Sequence, residues 1–264
     1  MSLLSKSNPT GTRIVGSSVA EPMSLGFAAY RLEAGEILPL AAQAREQCVV
    51  VLGGRVSVNG EAQGQGAFGW ANIGARHSVF ERRPPYAIYL PPNSQAQFLA
   101  LGPASLAVCS APGAEGGPFP ARLITPDSMR RSMRGKGTGT CLVYEVLSDA
   151  QLIHSLLVIE VHAPPGYSSG CLPPVQAPEG DALADTVEEL CYHQVSPVDR
   201  FVFQRVYTFD RHIDQAMAVE NHDLVSLPKG LHPLSVPLGC ESYCLSVKAA
   251  SPLPGRRDAD WHDL

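Results

Sequence analysis

Short apolar stretches separated by turn residues run along the whole chain. Residues 48–52 and 55–60 are predicted as two strands joined by Gly53 and Gly54, a spacing typical of a hairpin with a two-residue turn. Further strands of similar length are predicted at residues 86–90, 105–109, 156–161, 190–194, 201–207, 223–227 and 243–247. Many short strands at regular spacing predict an all-β fold. The pattern of residues 178–189 fits either a helix or an ordered loop.

The second half of the sequence repeats the plan of the first. Pro91 and Pro228 each begin a loop that follows a predicted strand, and they lie 137 residues apart (228 − 91 = 137), about half of the chain. Two small β-barrels in tandem are the simplest interpretation, because closing a sheet into a barrel removes exposed edges. We expect barrels at residues 1–129 and 130–264, with the basic, Ser- and Gly-rich residues 130–139 as a linker.

The composition agrees with an all-β fold. Of 264 residues, 45% are hydrophobic and only 17% are charged, while 24 are Gly and 23 are Pro. Long amphipathic helices would need more charged residues and fewer of these two. The net charge of −5, without a basic cluster longer than two adjacent arginines, argues against nucleic acid as a partner.

The seven cysteines indicate a reducing compartment. They are scattered, odd in number and contain no Cys-x-x-Cys pair. The N-terminal residues lack an apolar stretch long enough for a signal peptide, and no stretch reaches membrane-spanning length. We therefore expect a cytoplasmic protein without a membrane partner, in which most cysteines are reduced core residues.

Two predicted strands carry polar side chains that are expected to share a cavity. On a strand, residues of equal parity lie on one face. Glu189, Cys191 and His193 therefore project together, and so do the odd-numbered residues of 201–207. Both sets could line one barrel interior, where charged groups would need a pair, a ligand or water. Gln204 has the opposite parity and is expected to face a neighbouring sheet or solvent.

Several motifs resemble the 5-deoxy-glucuronate isomerase family of myo-inositol catabolism. They are residues 201–208, residues 214–217 with Val219-Glu220, and the Pro228-x-Gly-x-His-Pro233 motif, together with residues 73–82, 134–136 and 155–161. The resemblance covers most of the chain. It implies a bicupin of two jelly-roll barrels, a divalent metal ion (zinc or manganese), and conversion of 5-deoxy-glucuronate, an aldehyde sugar acid, into 2-deoxy-5-keto-gluconate.

Only two of the four metal ligands that this resemblance implies are found in the sequence. The family holds its metal with a His-x-His pair after a turn, a Glu on the next strand and a later His. Residues 167–169 match the turn, and Glu189 and His232 match the last two ligands, but no histidine occurs between residues 167 and 190. In the first half, Gln95 stands where His232 stands in the second, so the first barrel is expected to lack a complete metal site.

Other residues could complete the ligand set. Two protein ligands seldom hold zinc, and catalytic zinc sites usually keep three. His193 and the thiolate of Cys191 could join Glu189 and His232 in a set that suits zinc. The alternatives are that Cys191 is a small buried apolar residue and His193 and His232 are structural.

The implied reaction assigns roles to the remaining candidates. An aldose–ketose isomerase needs a base near the carbon beside the carbonyl and an electrophile on the oxygens. Glu189 would be a metal ligand, or the base in a metal-free site. Arg205 would hold the substrate carboxylate or form a salt bridge in the barrel, and Tyr207 would bind a sugar hydroxyl or belong to the core. Arg76 and Glu81 are expected to support the contact between the halves.

The sequence is compatible with three functions. The chain could be an isomerase with an altered or weakened metal site, a non-catalytic sugar-acid-binding paralogue that acts as a sensor or scaffold, or an enzyme re-tuned to another small carboxylate. Each has a small-molecule sugar acid or related compound as its ligand, and a homo-oligomer is compatible with all three.

Overall fold

The computed structural model describes residues 2–17, 24–113, 119–148, 155–169 and 188–249. Nearly all of the regular structure in these ranges is β. The strands are β1 (Leu4–Ser5), β2 (Arg13–Gly16), β3 (Gly26–Leu32), β4 (Ile37–Leu40), β5 (Arg45–Gly53), β6 (Val56–Ala62), β7 (Gly66–Ile73), β8 (Ala87–Leu90), β9 (Gln95–Ala100), β10 (Ala104–Pro112), β11 (Arg122–Ile124), β12 (Arg130–Arg134), β13 (Cys141–Leu147), β14 (Leu156–Ala163), β15 (Glu189–Ser196), β16 (Phe201–Tyr207), β17 (Asp214–Glu220), β18 (Leu224–Leu227), β19 (Leu234–Ser235) and β20 (Glu241–Ala249).

Within the described ranges, helical structure is limited to single turns, which are 3-10 helices at Val79–Glu81, Pro126–Ser128 and Gly137–Gly139. In the described part of the chain, no helix is long and apolar enough to cross a membrane.

The strands form four antiparallel sheets that repeat one plan. One large sheet has the order β11-β8-β5-β10-β3-β2, and the other has the order β1-β18-β15-β20-β14-β13-β12. Each faces a smaller sheet, β4-β9-β6-β7 and β17-β16-β19 respectively. The two large sheets correspond strand by strand, with β5 matching β15, β8 matching β18 and β10 matching β20. The predicted all-β fold of two tandem jelly-roll barrels is therefore confirmed.

Three apolar clusters form the core. One lies inside the first barrel and includes Val49 and Phe98. A second fills the space between the two large sheets and joins residues of both halves, among them Phe27 and Tyr192. The third lies inside the second barrel and contains Cys191.

A buried ion pair joins the two halves. Arg76 follows β7 and lies 2.9 Å, Nη1 to Oε2, from Glu160 on β14, and Tyr243 donates a hydrogen bond of 2.7 Å to the same carboxylate. Both charged side chains are almost fully buried. Burial alone would raise the pKa of Glu160, but the Arg76 charge outweighs it and lowers that pKa to about 2. The expected role of Arg76 between the halves is confirmed.

Glu81 has a different role from the one expected. Its carboxylate accepts hydrogen bonds from the backbone N–H groups of His77 and Ser78, and so caps the adjacent 3-10 helix. The neighbouring Arg82 instead reaches the other half, where it pairs with Glu241 at 3.1 Å. The prediction for Glu81 was wrong because local backbone donors satisfy its charge.

Two connections differ from the prediction. The glycines after β5 do not form a hairpin: β5 pairs with β8 and β10, whereas β6 pairs with β7 and β9, so the chain passes from one sheet to another. Gly54 has φ +85°, and a Cβ there would lie 2.3 Å from the Pro103 carbonyl oxygen. Residues 130–134, predicted as linker, form β12, which pairs with β13 and is fixed by a 2.9 Å Arg134–Glu145 ion pair.

The division of the chain at residue 130 stays a prediction. Strands β2–β11 precede that point and β12–β20 follow it, but β1 pairs with β18 of the second half. Residues 178–189, for which the sequence allowed a helix or a loop, lie mostly outside the described residues; Glu189 itself begins β15.

Candidate functional site

Two neighbouring strands place six polar or sulfur-bearing side chains inside the second barrel. The antiparallel register of β15 and β20 sets Glu189 opposite Lys248, Cys191 opposite Ser246 and His193 opposite Cys244. Because cross-strand partners share a face, each pair lies side by side. The alternate residues of β15, Leu190 and Tyr192, point into the core between the halves. β15 is therefore buried on both faces, with its polar face toward the barrel.

Glu189 is the charged centre of this face. Its Oε1 accepts hydrogen bonds from the hydroxyl of Ser246 and, at 3.4 Å, from the Cys191 thiol. Its Oε2 lies 3.3 Å from His232 Nε2 and 3.5 Å from Lys248 Nζ. Burial would raise the pKa of Glu189, but His232, Lys248 and the Ser246 hydrogen bond together lower it to about 2. The carboxylate is ionised at neutral pH.

The loop after β18 brings His232 to Glu189. The backbones of Leu231 and Tyr207 exchange two hydrogen bonds, of 2.8 and 2.9 Å, which tie this loop to β16. Gly230 makes the approach possible, since it has φ +100° and a Cβ there would lie 2.6 Å from the Tyr207 carbonyl oxygen. The His232 side chain is 35% exposed, whereas that of Glu189 is 7% exposed. His232 therefore stands between solvent and the buried carboxylate.

Deeper in the barrel, the His193 side chain is fully buried, while its backbone bonds to Asp223 and His222. Neither ring nitrogen makes a hydrogen bond of normal geometry with a described residue, nor does Oε1 of Gln204, although the Gln204 side chain lies close enough to act on the His193 pKa. Burial lowers the pKa of His193 to about 4, so its ring is neutral near pH 7. The neighbouring Cys191 and Cys244 are buried free thiols. The Cys244 side chain, followed by burial, raises the pKa of Cys191 well above its ordinary value.

These side chains form two groups that could hold a metal ion. In one, ligand atoms of Glu189, Cys191 and His232 lie within 4.8 Å of one another; in the other, those of Cys191, His193 and Cys244 do. The first group is a poor fit for a divalent ion, because both Glu189 oxygens already have donors and the Lys248 ammonium would repel the ion. The second group contains no cation and offers unpartnered nitrogens.

Arg205 does not line the site. On β16 the even-numbered residues Val202, Gln204 and Val206 are buried, while Arg205 is exposed. Arg205 forms two 2.8 Å hydrogen bonds with Asp214 on the outer surface. The predictions for Arg205 and Gln204 were therefore wrong in their placement. The valines fill the barrel core, and this decides which face of the strand points inward.

Tyr207 ends β16 and packs against two arginine side chains. It is 8% exposed, and its ring lies beneath the guanidinium groups of Arg205 and Arg211, 5.1 and 4.5 Å from the ring centroid. Its backbone contributes to the site by holding the His232 loop. Tyr207 has the parity of Arg205 but is buried, so its predicted place in the Glu189 cavity stays a prediction.

Sequence reasoning missed Lys248, Ser246 and Cys244. Cys244 and Ser246 have even numbers and so share one face of the predicted strand at residues 243–247, which was the available signal; Lys248 lies one residue beyond that predicted strand. Nothing in the sequence identifies β20 as the neighbour of β15. The segment in which the resemblance expects the His-x-His pair, residues 170–187, lies outside the described residues.

Comparison with known proteins identifies the family. The KduI/IolB family matches residues 3–261. A 5-deoxy-glucuronate isomerase of Geobacillus thermodenitrificans is 40% identical over 225 residues, covering 85% of this chain and 80% of the relative. The isomerase of the same name from Halalkalibacterium halodurans is 36% identical over 245 residues, covering 90% and 87%.

Solved structures agree with this relationship. The crystal structure of an IolB-like protein from Salmonella typhimurium LT2 has a TM-score of 0.85 and 38% identity, and the match covers 97% of this chain and 95% of that one. Oxalate decarboxylase of Bacillus subtilis has a TM-score of 0.62 at 11% identity, covering 93% and 75%, and shares the fold alone. The match across almost the whole sequence, together with these relatives, shows that the chain belongs to the KduI/IolB family.

Proposed function

We propose that this protein is an aldose–ketose isomerase that converts 5-deoxy-glucuronate into 2-deoxy-5-keto-gluconate in myo-inositol catabolism. The curated relatives carry the name of this isomerase. The observation that carries the proposal is the ionised Glu189 inside the second barrel, with Lys248 and His232 at the same carboxylate oxygen. A base and two proton donors around one point are what an enediolate intermediate requires.

The chain's own residues account for the proton transfer. A Glu189 oxygen takes the proton from the carbon beside the aldehyde and returns it to the aldehyde carbon. The hydroxyl on the first of these carbons gives up its proton and the former aldehyde oxygen takes one up, so that the carbonyl moves to the neighbouring carbon. Lys248 Nζ and His232 Nε2 donate hydrogen bonds to the two oxygens on which negative charge develops. When substrate oxygens draw these donors away from Glu189, the carboxylate loses the contacts that lower its pKa and becomes a stronger base.

The positive charge beside Glu189 comes from Lys248 in this proposal. The family resemblance implies a zinc or manganese ion, which would act as an electrophile on the substrate oxygens. The group of Glu189, Cys191 and His232 does not fit such an ion, because it would lie against the Lys248 ammonium. No step of the proposed reaction therefore passes through a metal.

Arg205 and Tyr207 have no part in the proposed chemistry. Arg205 pairs with Asp214 on the outer surface, and Tyr207 lies beneath it. The ligand is a small molecule, since the polar groups available for contact are few and buried within one barrel. The net charge of −5 argues against nucleic acid as a partner, and the free cysteines support the predicted cytoplasmic location.

The experiment is an isomerisation assay with 5-deoxy-glucuronate, read by formation of the keto product. We expect turnover by the wild type and a loss of at least about 100-fold in kcat for Glu189→Gln, which keeps the shape of the side chain but cannot accept the proton. Glu241→Gln is the matched control, because Glu241 lies on β20 and pairs with Arg82 at the surface. Binding of the sugar acid without conversion by the wild type would overturn the proposal in favour of a sensor or scaffold.

A further inference from the structure

We propose that the second barrel binds a zinc ion through Cys191, His193 and Cys244, below the Glu189 site. None of the three belongs to the Glu/His pair that matches the family's ligands. The proposal concerns the chain whether or not it is an isomerase, since it rests on the contacts of these three residues alone.

The geometry of two adjacent strands brings the ligand atoms together. Cys191 and His193 are two residues apart on β15 and therefore share a face, and Cys244 is the cross-strand partner of His193. Sulfur and nitrogen atoms of the three lie within 4.8 Å of one another. Zinc requires ligand atoms about 2.0–2.3 Å from the ion, so small side-chain rotations bring all three to one point.

The unpartnered histidine is the second, independent observation. Both ring nitrogens of His193 are buried, and neither makes a hydrogen bond of normal geometry with a described residue, although the Gln204 side chain lies beside the ring. Leaving a buried polar group unpaired is unfavourable, so such groups nearly always have a partner. Donation of one nitrogen lone pair to zinc would satisfy it, and Gln204, whose Oε1 is also unpartnered, could then accept a hydrogen bond from the other nitrogen.

Charge balance favours this position over the one at Glu189. Two thiolates, from Cys191 and Cys244, neutralise a divalent ion, so the buried assembly carries no net charge. At Glu189 the carboxylate is already balanced by Lys248, and a divalent ion bound there would sit next to an ammonium group. Thiolate and imidazole ligands select zinc over manganese, which prefers oxygen.

The first test uses the wild type and needs no substitution. Protein purified without chelator is analysed for metal content, and zinc K-edge X-ray absorption gives the number of sulfur ligands. We expect about one zinc per chain with two sulfur ligands. A bound zinc with one sulfur ligand would place the ion at Glu189, Cys191 and His232 instead and overturn the proposal. A wild type that holds no zinc after incubation with zinc salt would overturn it as well.

Substitutions then separate the two groups of ligands. Cys244→Ser should weaken zinc binding at least about tenfold, as the loss of a ligand does in other sites, while His232→Ala should leave it unchanged. Cys240→Ser is the matched control, because Cys240 is a buried free cysteine of the same barrel outside both groups. Far-UV circular dichroism of each variant checks folding, and cobalt bound to the wild type should show thiolate charge-transfer absorbance. Zinc affinity that falls for His232→Ala and not for Cys244→Ser contradicts the assignment.

Discussion

The ion pair between the two halves gives a prediction that can be worked out from the structure. Replacing Arg76 by Met removes the guanidinium that faces Glu160 and leaves a fully buried carboxylate with the Tyr243 hydroxyl at 2.7 Å and the His162 ring nitrogen at 3.7 Å. Because Arg76 comes from the first half and Glu160 from the second, the substitution acts on the contact between the two large sheets.

Two estimates of the cost agree. Removing one partner of a buried ion pair typically destabilises a protein by about 3–5 kcal/mol. The pKa of Glu160 falls from its model-compound value of 4.5 to about 2. Each pKa unit corresponds to about 1.4 kcal/mol, so the ionised form gains roughly 3 kcal/mol on folding. We therefore expect Arg76→Met to lower the free energy of unfolding by about 3–5 kcal/mol at pH 7.

The assay is urea unfolding followed by circular dichroism, with a double-mutant cycle. The double variant combines Arg76→Met with Glu160→Leu and therefore contains neither charge. It should be more stable than Arg76→Met alone. The folded-state pKa of Glu160 lies below the unfolded value, so its contribution is complete above about pH 4.5 and is lost as the pH falls toward 2. The difference between wild type and Arg76→Met should shrink over that range. A single variant within about 1 kcal/mol of wild type at pH 7, or strictly additive effects, would refute the reasoning.

Three further predictions concern the site. His232→Ala should abolish isomerase activity, with kcat at least about 100-fold lower, and full turnover in that variant would remove His232 from the site. Arg205→Ala should leave kcat/KM within about threefold of wild type, since its contact with Asp214 is exposed and such surface pairs contribute little. A loss of substrate affinity would show that Arg205 does contact the sugar acid. Gly230→Ala should lower the free energy of unfolding by about 1–3 kcal/mol and should also lower isomerase activity. The reason is that a Cβ at φ +100° meets the Tyr207 carbonyl oxygen and displaces the His232 loop. Thermal unfolding and the isomerase assay measure the two effects, and unchanged values would contradict this role.

The amino-acid sequence determined most of the fold and part of the site. Period-two patterns located nine of the twenty described strands to within a few residues, as at β16, which was predicted with its observed ends. The repeat of 137 residues and the motifs around His232 identified two tandem barrels and the family. The shared face of Glu189, Cys191 and His193 was also predicted correctly, because it depends only on the geometry of a single strand.

The tertiary structure decided what lies opposite that face. A strand pattern gives two faces but does not say which of them points inward, and on β16 the buried valines placed Gln204 inside and Arg205 outside. Lys248, Ser246 and Cys244 join the site through the pairing of β15 with β20, two strands far apart in the sequence. Such pairings depend on how the whole sheet closes around its core, so the polar partners of Glu189 and the thiol neighbours of His193 could be identified only in the folded chain.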